Sequence, residues 1–481
     1  VLGTGVFVRR ALVLAGVLAA LLPAALMWGF TVDDALIPIR YAQNLSSGAG
    51  YRFDVHGPPS DGVTPLPWSF VLVILASADA LTTLTRAKAL GVLAWAVAAA
   101  VLGARLGTAS KHLGKVFGGE NEDGGGKQLG KVFGRSVPAL AALVVVALAF
   151  EIGAWSASGL ETGLVLALAT LAATNVVERP RAAAILAGAA AAFRPELAPW
   201  AVTLAALGAL ERDRDARKAA IGAAIAVAPF VACAVARLIV FGRAAPLAVL
   251  AKPSDLSHGA TYAGAATVVL LLPILALAPF AIARSRGTGA PTLAIAFCVH
   301  LASITAAGGD WMPYARLVVP VAPSLAIVFV ETVARSHRAS VAARVVVAVG
   351  LGALLAVRVA PAGRHVMADR SALVASARPM LADATAVAAL DIGWVSASLP
   401  RDTRILDLAG LTDATIAVLP GGHTSKRVDA AMLLDRGIDV VVVWEAAPRV
   451  VEQRLLRSEL FADRYERAAT LPLGYAVYRR R

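Results

Sequence analysis

Apolar positions fall in long unbroken runs separated by short polar stretches, and this alternation organises most of the chain. Runs of near-spanning length lie at 11–30, 87–104, 137–152, 159–177, 182–210, 219–241, 264–283, 288–306, 313–334 and 343–360. A helix needs about 20 apolar residues to cross a bilayer, so these runs predict membrane helices. Run 182–210 is long enough for a tight hairpin, with Arg194-Pro195-Glu196 at its middle, where proline breaks a helix. Run 66–78 is too short to span and predicts a re-entrant or surface helix. From 361 the pattern changes. Short β-like runs appear at 386–391, 403–407, 438–444 and 472–479, with a helix-like stretch at 427–436. The expected fold is an α-helical polytopic membrane protein of about 11 transmembrane helices over 1–360, followed by a small α/β domain over 361–481.

Basic loops assign the sides, because Lys and Arg collect on the cytoplasmic face. The residues Arg9-Arg10 and the stretches 105–136, 179–181, 212–218, 284–286 and 335–344 are basic and are expected inside. Counting crossings then places 31–64 (the first outer loop), 153–160, 242–263 and 308–311 outside, together with Arg194, Glu196 and the C-terminal domain. The first run follows Arg9-Arg10 as a signal peptide would. It continues to Phe30 without a small-residue cleavage site and reads as a span. In the loop at 105–136, the segment 111–118 nearly recurs at 127–134. A local duplication in a tolerant loop accounts for it, a binding arm being the alternative.

Composition supports the membrane reading. The chain has 481 residues, 58% hydrophobic and 16% charged, with a mean hydropathy of +0.72. A soluble domain carries about 25% charged residues. The net charge of +13 would suggest nucleic acid in a soluble chain. Here the basic residues sit in short loops, and with 6% aromatics there is no stacking platform for bases, so no nucleic-acid partner is expected. Cys233 and Cys298 both lie in apolar runs, form no metal or redox motif, and read as packing residues.

Charged groups beside membrane spans are costly and therefore informative. Asp33-Asp34 follow the first span directly. They could cap a following helix, 35–45, which carries Arg40 and Tyr41 on one side, or they could hold a general base at the membrane surface. Glu161, Arg194, Glu196, Lys252, His258, Asp310 and Arg316 all fall on the predicted outer face. Arg194, Lys252 and Arg316 could neutralise a lipid-borne phosphate. Lys252 lies in a loop of the length that folds over a site. Glu161 or the acidic pair could ligate a divalent cation, though nothing demands one. There is no Gly-rich phosphate loop, zinc-ligand spacing or serine nucleophile elbow.

The stretch Asp33-Asp34-Ala35-Leu36-Ile37-Pro38-Ile39-Arg40-Tyr41-Ala42-Gln43-Asn44-Leu45 resembles the first outer loop of GT-C glycosyltransferases, and among them the cell-wall terminal arabinofuranosyltransferases. The similarity continues in order through 48–51, Asp61-Gly62-Val63-Thr64-Pro65, Trp68, Ser158-Gly159-Leu160-Glu161-Thr162 and Arg194-Pro195-Glu196. It then runs through Phe241-Gly242, Pro246, Lys252, Tyr262, Gly308-Gly309-Asp310-Trp311-Met312-Pro313, Arg316, Asp391-Ile392-Gly393 and Asp407-Leu408-Ala409-Gly410-Leu411-Thr412-Asp413. Two positions depart from it: Val63 stands where an aromatic is expected, and the loop after Phe241 lacks Asn-Thr after its proline. The donor sugar is left open by the second departure.

The resemblance implies an inverting transferase in a bacterial cytoplasmic membrane. It would move a sugar from a polyprenyl-phosphate donor to a cell-envelope glycan or glycolipid on the outer side. It implies Asp33 as general base with Asp34 supporting, and Arg194, Lys252 and Arg316 at the phosphate. Arg40, Tyr41, Glu161, Glu196, His258, Tyr262 and Asp310 are the expected substrate-binding or supporting groups. Two other readings stand beside it. One is an exporter or flippase of lipid-linked saccharides, although no repeat relates the two halves. The other is a membrane scaffold whose C-terminal domain binds glycan.

Overall fold

The computed structural model describes residues 2–117, 125–252, 254–270, 288–333 and 338–481, leaving aside the side chains of 2–5, 109–136 and 338. The described chain is mostly helical, with a small C-terminal sheet. Val6–Leu26, Ala80–Thr108, Ala216–Phe241 and Ala339–Arg358 are long and apolar enough to cross a membrane. The pair Val137–Leu148 and Phe150–Ser156, bent by 61°, makes a fifth if counted as one span. Thr162–Asn175, Pro180–Phe193, Ala290–Ala306 and Ser324–Val333 are apolar but only 10–17 residues long.

Several expected runs therefore give shorter helices, and proline is the recurrent cause. Run 182–210 divides into Pro180–Phe193 and Ala198–Asp213 around a 3₁₀ turn, Pro195–Leu197. Run 313–334 begins with a 3₁₀ turn over Val319–Val321, and only Ser324–Val333 is α-helical. The short run 66–78 yields the eight-residue helix Leu66–Val73. The expected loop at 105–136 is a correction, because helix Ala80–Phe117 runs into it and helix Gly125–Leu148 begins within it. The side chains of the repeat at 111–118 and 127–134 lie outside the described residues, as do the basic loop at 284–286 and part of the run at 264–283 and the loop at 335–344. Cys298 is also corrected: it is exposed rather than packed inside, while Cys233 is half-buried. Cys298 shares a helix face with exposed Ile295, three residues earlier.

Contacts group the chain into two compact units, one of Val1–Phe30, Lys88–Phe230 and Ser254–Arg364, the other of Thr31–Ala87, Val231–Pro253 and His365–Arg481. The first is a helical assembly in which small residues let backbones meet. A Cβ at Gly16 would stand 2.1 Å from the Ala99 carbonyl oxygen, and one at Gly103 2.1 Å from that of Leu12. Trp95, Trp155 and Trp200 are fully buried in this unit.

The second unit is built on a five-stranded sheet: β1 (Ala386–Ala389), β2 (Arg404–Asp407), β3 (Val440–Trp444), β4 (Tyr465–Leu471) and β5 (Tyr475–Arg480). Its order is β2-β1-β3-β5-β4. β1 runs parallel to β2 and β3, with Val387 opposite Ile405 and Val440, whereas β5 is antiparallel to β3 and β4. All four β1 residues are buried, as are the four valines of β3, because both strands are central. Helix Ile392–Ser398 follows β1. Helix Leu36–Ser46 packs in the same unit, fastened to the polypeptide after helix Ile392–Ser398 by Arg40 and Arg401. The chain moves from β1 to β2 on one side and then to β3 on the other. The point between β1 and β3, at their carboxyl ends, is where open α/β sheets bind ligands.

Candidate functional site

The second unit gathers ionisable groups at that point. Asp391 follows β1, and Arg449 lies beyond β3. One Arg449 nitrogen, Nη1, donates to both Asp391 oxygens at 2.9 Å, and Nε donates to Glu452 at 2.8 Å. Tyr475 donates its hydroxyl proton to Asp391, and Arg370 donates to the Tyr475 hydroxyl at 3.4 Å. The Arg449 guanidinium also lies 5.2 Å from the centre of the Trp444 ring. The result is a braced network with its carboxylates and guanidiniums largely paired.

Asp33 enters this network through the start of helix Ile392–Ser398. Its two oxygens accept from Gly393 N at 2.8 Å and Trp394 N at 2.9 Å. Gly393 must be glycine here, since a Cβ would stand 2.1 Å from the Asp33 carbonyl oxygen. Burial pushes the Asp33 carboxyl up to about 6. The positive charge of Arg370 pulls the other way, and Asp391 and Asp34 add to the rise. Asp34 is half-buried and takes no side-chain hydrogen bond among the described residues.

His423, in the turn Gly421-Gly422-His423-Thr424, is drawn down to about 4, first by burial and then by the charge of Lys252; Asp34 opposes the fall, and Arg449 and Lys426 add to it. At neutral pH the ring is uncharged and can accept or donate a hydrogen bond. Lys252 has no ion pair among the described residues. Lys426 is buried and donates to the carbonyls of Ala417 and Leu419 at 2.7 and 3.0 Å. Asp34, without a side-chain hydrogen bond, and Lys252, without an ion pair among the described residues, thus both act on the neutral imidazole of His423 beside a rigid network. Such a set can take a proton and hold an anion.

The remaining sequence-predicted residues of this unit are structural in their contacts. Arg40 is buried and donates to the carbonyls of Phe53, Ser396, Arg401 and Thr403 at 2.8–3.4 Å. The Tyr41 hydroxyl bonds Ser60 Oγ at 2.7 Å and accepts from Gly62 N at 3.0 Å.

The first unit holds its own polar cluster. Arg194, at the break between Pro180–Phe193 and Ala198–Asp213, reaches Glu161 at 2.8 Å and Glu196 at 2.7 Å. Arg194 and Glu161 are both buried. Arg316 reaches Asp310 at 2.6 Å. The loop between them is held in shape by Trp155, whose indole nitrogen donates to the carbonyls of Pro313 and Tyr314. Tyr314 and Ala315 adopt φ of 60° and 50°, rare for residues with a Cβ. The Tyr262 hydroxyl accepts from Leu317 N at 2.9 Å, and the charges of Asp310, Arg316 and Arg194 all act on it. His258 stacks on Trp311 at 3.9 Å, its Nδ1 2.7 Å from the Gly308 carbonyl oxygen. The structure therefore brings Glu161, Arg194 and Glu196 together, and likewise Tyr262, Asp310 and Arg316. Of the three cations assigned to phosphate from sequence, Arg194 and Arg316 pair with carboxylates, and Lys252 pairs with none among the described residues.

Sequence reasoning missed His423, Arg370, Arg449 and Tyr475 as site residues, and His300 in the first unit, which is buried with Nε2 2.7 Å from the Leu317 carbonyl oxygen. The Gly-Gly-His turn ahead of Lys426 was the available signal for His423. No group of three or more His, Cys, Asp or Glu among the described residues is placed to hold a metal ion. Compared with family models, curated proteins and solved structures, the chain matches none of them.

Proposed function

We propose that the protein is a membrane glycosyltransferase of the GT-C type. On this reading it transfers a sugar from a polyprenyl-phosphate donor to a cell-envelope glycan or glycolipid on the outer side of a bacterial cytoplasmic membrane. The observation that carries the reading is the set in the second unit: Asp34, which takes no side-chain hydrogen bond among the described residues, and Lys252, which makes no ion pair among them, both act on neutral His423. Single displacement from a phosphate needs these parts and little else. A carboxylate takes the acceptor hydroxyl proton as the oxygen attacks the anomeric carbon. The bond from that carbon to the phosphate oxygen breaks, and the configuration inverts. A cation holds the departing phosphate.

Asp34 is the better base of the acidic pair. Both Asp33 oxygens already accept backbone N–H groups, so Asp33 fixes the start of the helix and the position of its neighbour. Lys252 is the phosphate cation, because it makes no ion pair among the described residues. Arg194 holds the break between Pro180–Phe193 and Ala198–Asp213 in shape, and Arg316 holds the loop at 310–316. The ordered similarity to GT-C transferases and the apolar helices support the same reading, with about 11 spans in all.

The test is transfer by purified protein in nanodiscs, with radiolabelled polyprenyl-phosphate sugars and mixed cell-envelope glycans. Wild type should move label to acceptor. Asp34→Asn should lose about 10²-fold or more of the rate, the usual contribution of a general base, with an unchanged thermal unfolding midpoint. Consumption of no donor by wild type, with labelled lipid crossing proteoliposomes instead, would replace the transferase with an exporter.

A further inference from the structure

The second unit contains a cavity of about 280 Å³ that the chemistry above does not use. It opens along the outer edge of the sheet, the side of β2 away from β1, where no strand pairs with β2 among the described residues. The turn over 53–61 forms one wall, the segment after Phe241 another, and the start of helix Ala414–Ala417 a third.

Its charges are balanced. Asp54, Asp61 and Asp413 line it, and so do Arg243, Arg404 and Arg436. Most are already engaged in ways that fix their geometry. Asp54 accepts from Ile405 N at 3.1 Å and so covers the open edge of β2. Asp61 is paired with Arg237 at 2.7 Å. Asp413 pairs with Arg436 at 2.9 Å and caps its helix through Thr415 N at 2.8 Å. Arg404 donates to the carbonyls of Arg436 and Gly437. Arg243 is exposed and has no ion pair among the described residues.

An anion entering this cavity would meet as many carboxylates as guanidiniums. A neutral polyol would find donors and acceptors side by side on rigid elements, with Pro58, Pro59 and Phe241 offering apolar faces to ring C–H groups. The volume lies near the lower end of small-ligand pockets, which start at about 300 Å³, so it suits one or two sugar rings. The lining thus differs in kind from the set around Lys252, where cations outweigh carboxylates around His423.

We propose that the cavity beside β2 is a saccharide-binding site that holds neutral sugar residues of the glycan acceptor. The word acceptor rests on the transferase reading; the binding of a neutral saccharide does not. Asp54 and Arg243 supply hydrogen bonds to hydroxyls, and the two prolines and Phe241 supply the apolar contact.

The test is direct binding to the full chain in nanodiscs, read by saturation-transfer NMR and calorimetry. The probes are neutral arabinofuranosyl, galactofuranosyl and mannosyl oligosaccharides, with inorganic phosphate as an anionic control. Ala414 and Ala245 are exposed and line the cavity, so Ala414→Trp and Ala245→Trp fill it without disturbing buried packing. At least one saccharide should bind wild type, and each Trp variant should weaken that binding by about tenfold, or 1.4 kcal/mol. Glu459→Gln, at an exposed position that does not line the cavity, should bind as wild type does. Arg243→Ala, at an exposed position, serves if a Trp variant fails to fold, and should weaken binding in the same direction. Failure of every saccharide to bind, binding of phosphate in their place, or undiminished binding by the filled variants would overturn the site. Saccharide binding without any transfer would sink the transferase reading alone, and transfer with an acceptor KM unmoved by the Trp variants would sink this one alone.

Discussion

At the residue scale, the acidic pair shows how two adjacent identical side chains acquire different work. Sequence placed Asp33 and Asp34 at the end of the first run and could not rank them. The ranking depends on Gly393 and Trp394, 360 residues away, whose N–H groups occupy Asp33. Asp33→Asn would turn an amide NH₂ toward a backbone N–H. It should cost about 1–3 kcal/mol, the penalty for an unsatisfied buried donor. Thermal unfolding of Asp33→Asn against Asp34→Asn checks this; equal midpoints would refute the division of roles. His423 was illegible for a related reason, since nothing local marks its burial or the charges of Lys252 and Arg449. Its pKa falls from 6.5 to about 4. Between those values the unfolded chain binds more protons, so its contribution to stability is present above pH 6.5 and is lost as pH falls toward 4. His423→Gln should therefore narrow the gap in unfolding midpoint between pH 7.5 and pH 5. An unchanged gap would show that the imidazole is not held neutral.

At the element scale, the apolar runs and the break at Arg194-Pro195-Glu196 were legible because helix periodicity and proline act locally. The central strands β1 and β3 were legible as well, both being apolar and β3 carrying four consecutive valines. β4 was not: its middle residues are exposed and include Glu466 and Arg467, as an edge strand requires, so it shows no alternation. Partners across elements were also hidden. Arg194 stood out as a charge at a helix break, but its pairing with Glu161, 33 residues earlier, comes from the packing of two helices. Arg194→Leu should leave Glu161 and Glu196 without their shared cation and cost about 3–5 kcal/mol, as removal of one member of a buried pair does. The double variant Arg194→Leu/Glu161→Leu should recover part of that loss. Thermal unfolding in detergent decides it: a double variant less stable than the single would mean that Glu161 finds another partner.

At the scale of the whole molecule, hydropathy predicts membrane embedding, and loop charge predicts sidedness. The apolar helices agree with the first: four or five among the described residues are long and apolar enough to cross a membrane. Sidedness follows from the positive-inside rule, because basic loops resist translocation. The proposed chemistry depends on it, since a donor used on the outer face requires the second unit to stand there. Glu459 and Lys218 are both exposed, one in the C-terminal portion and one in the basic stretch at 212–218. With Cys233 and Cys298 changed to serine, Glu459→Cys should react with a membrane-impermeant maleimide in intact cells. Lys218→Cys should react only after the cells are made permeable. Labelling in the opposite order would invert the topology and remove the outer-face transferase with it, because Asp34, Lys252 and His423 would then meet the cytoplasm.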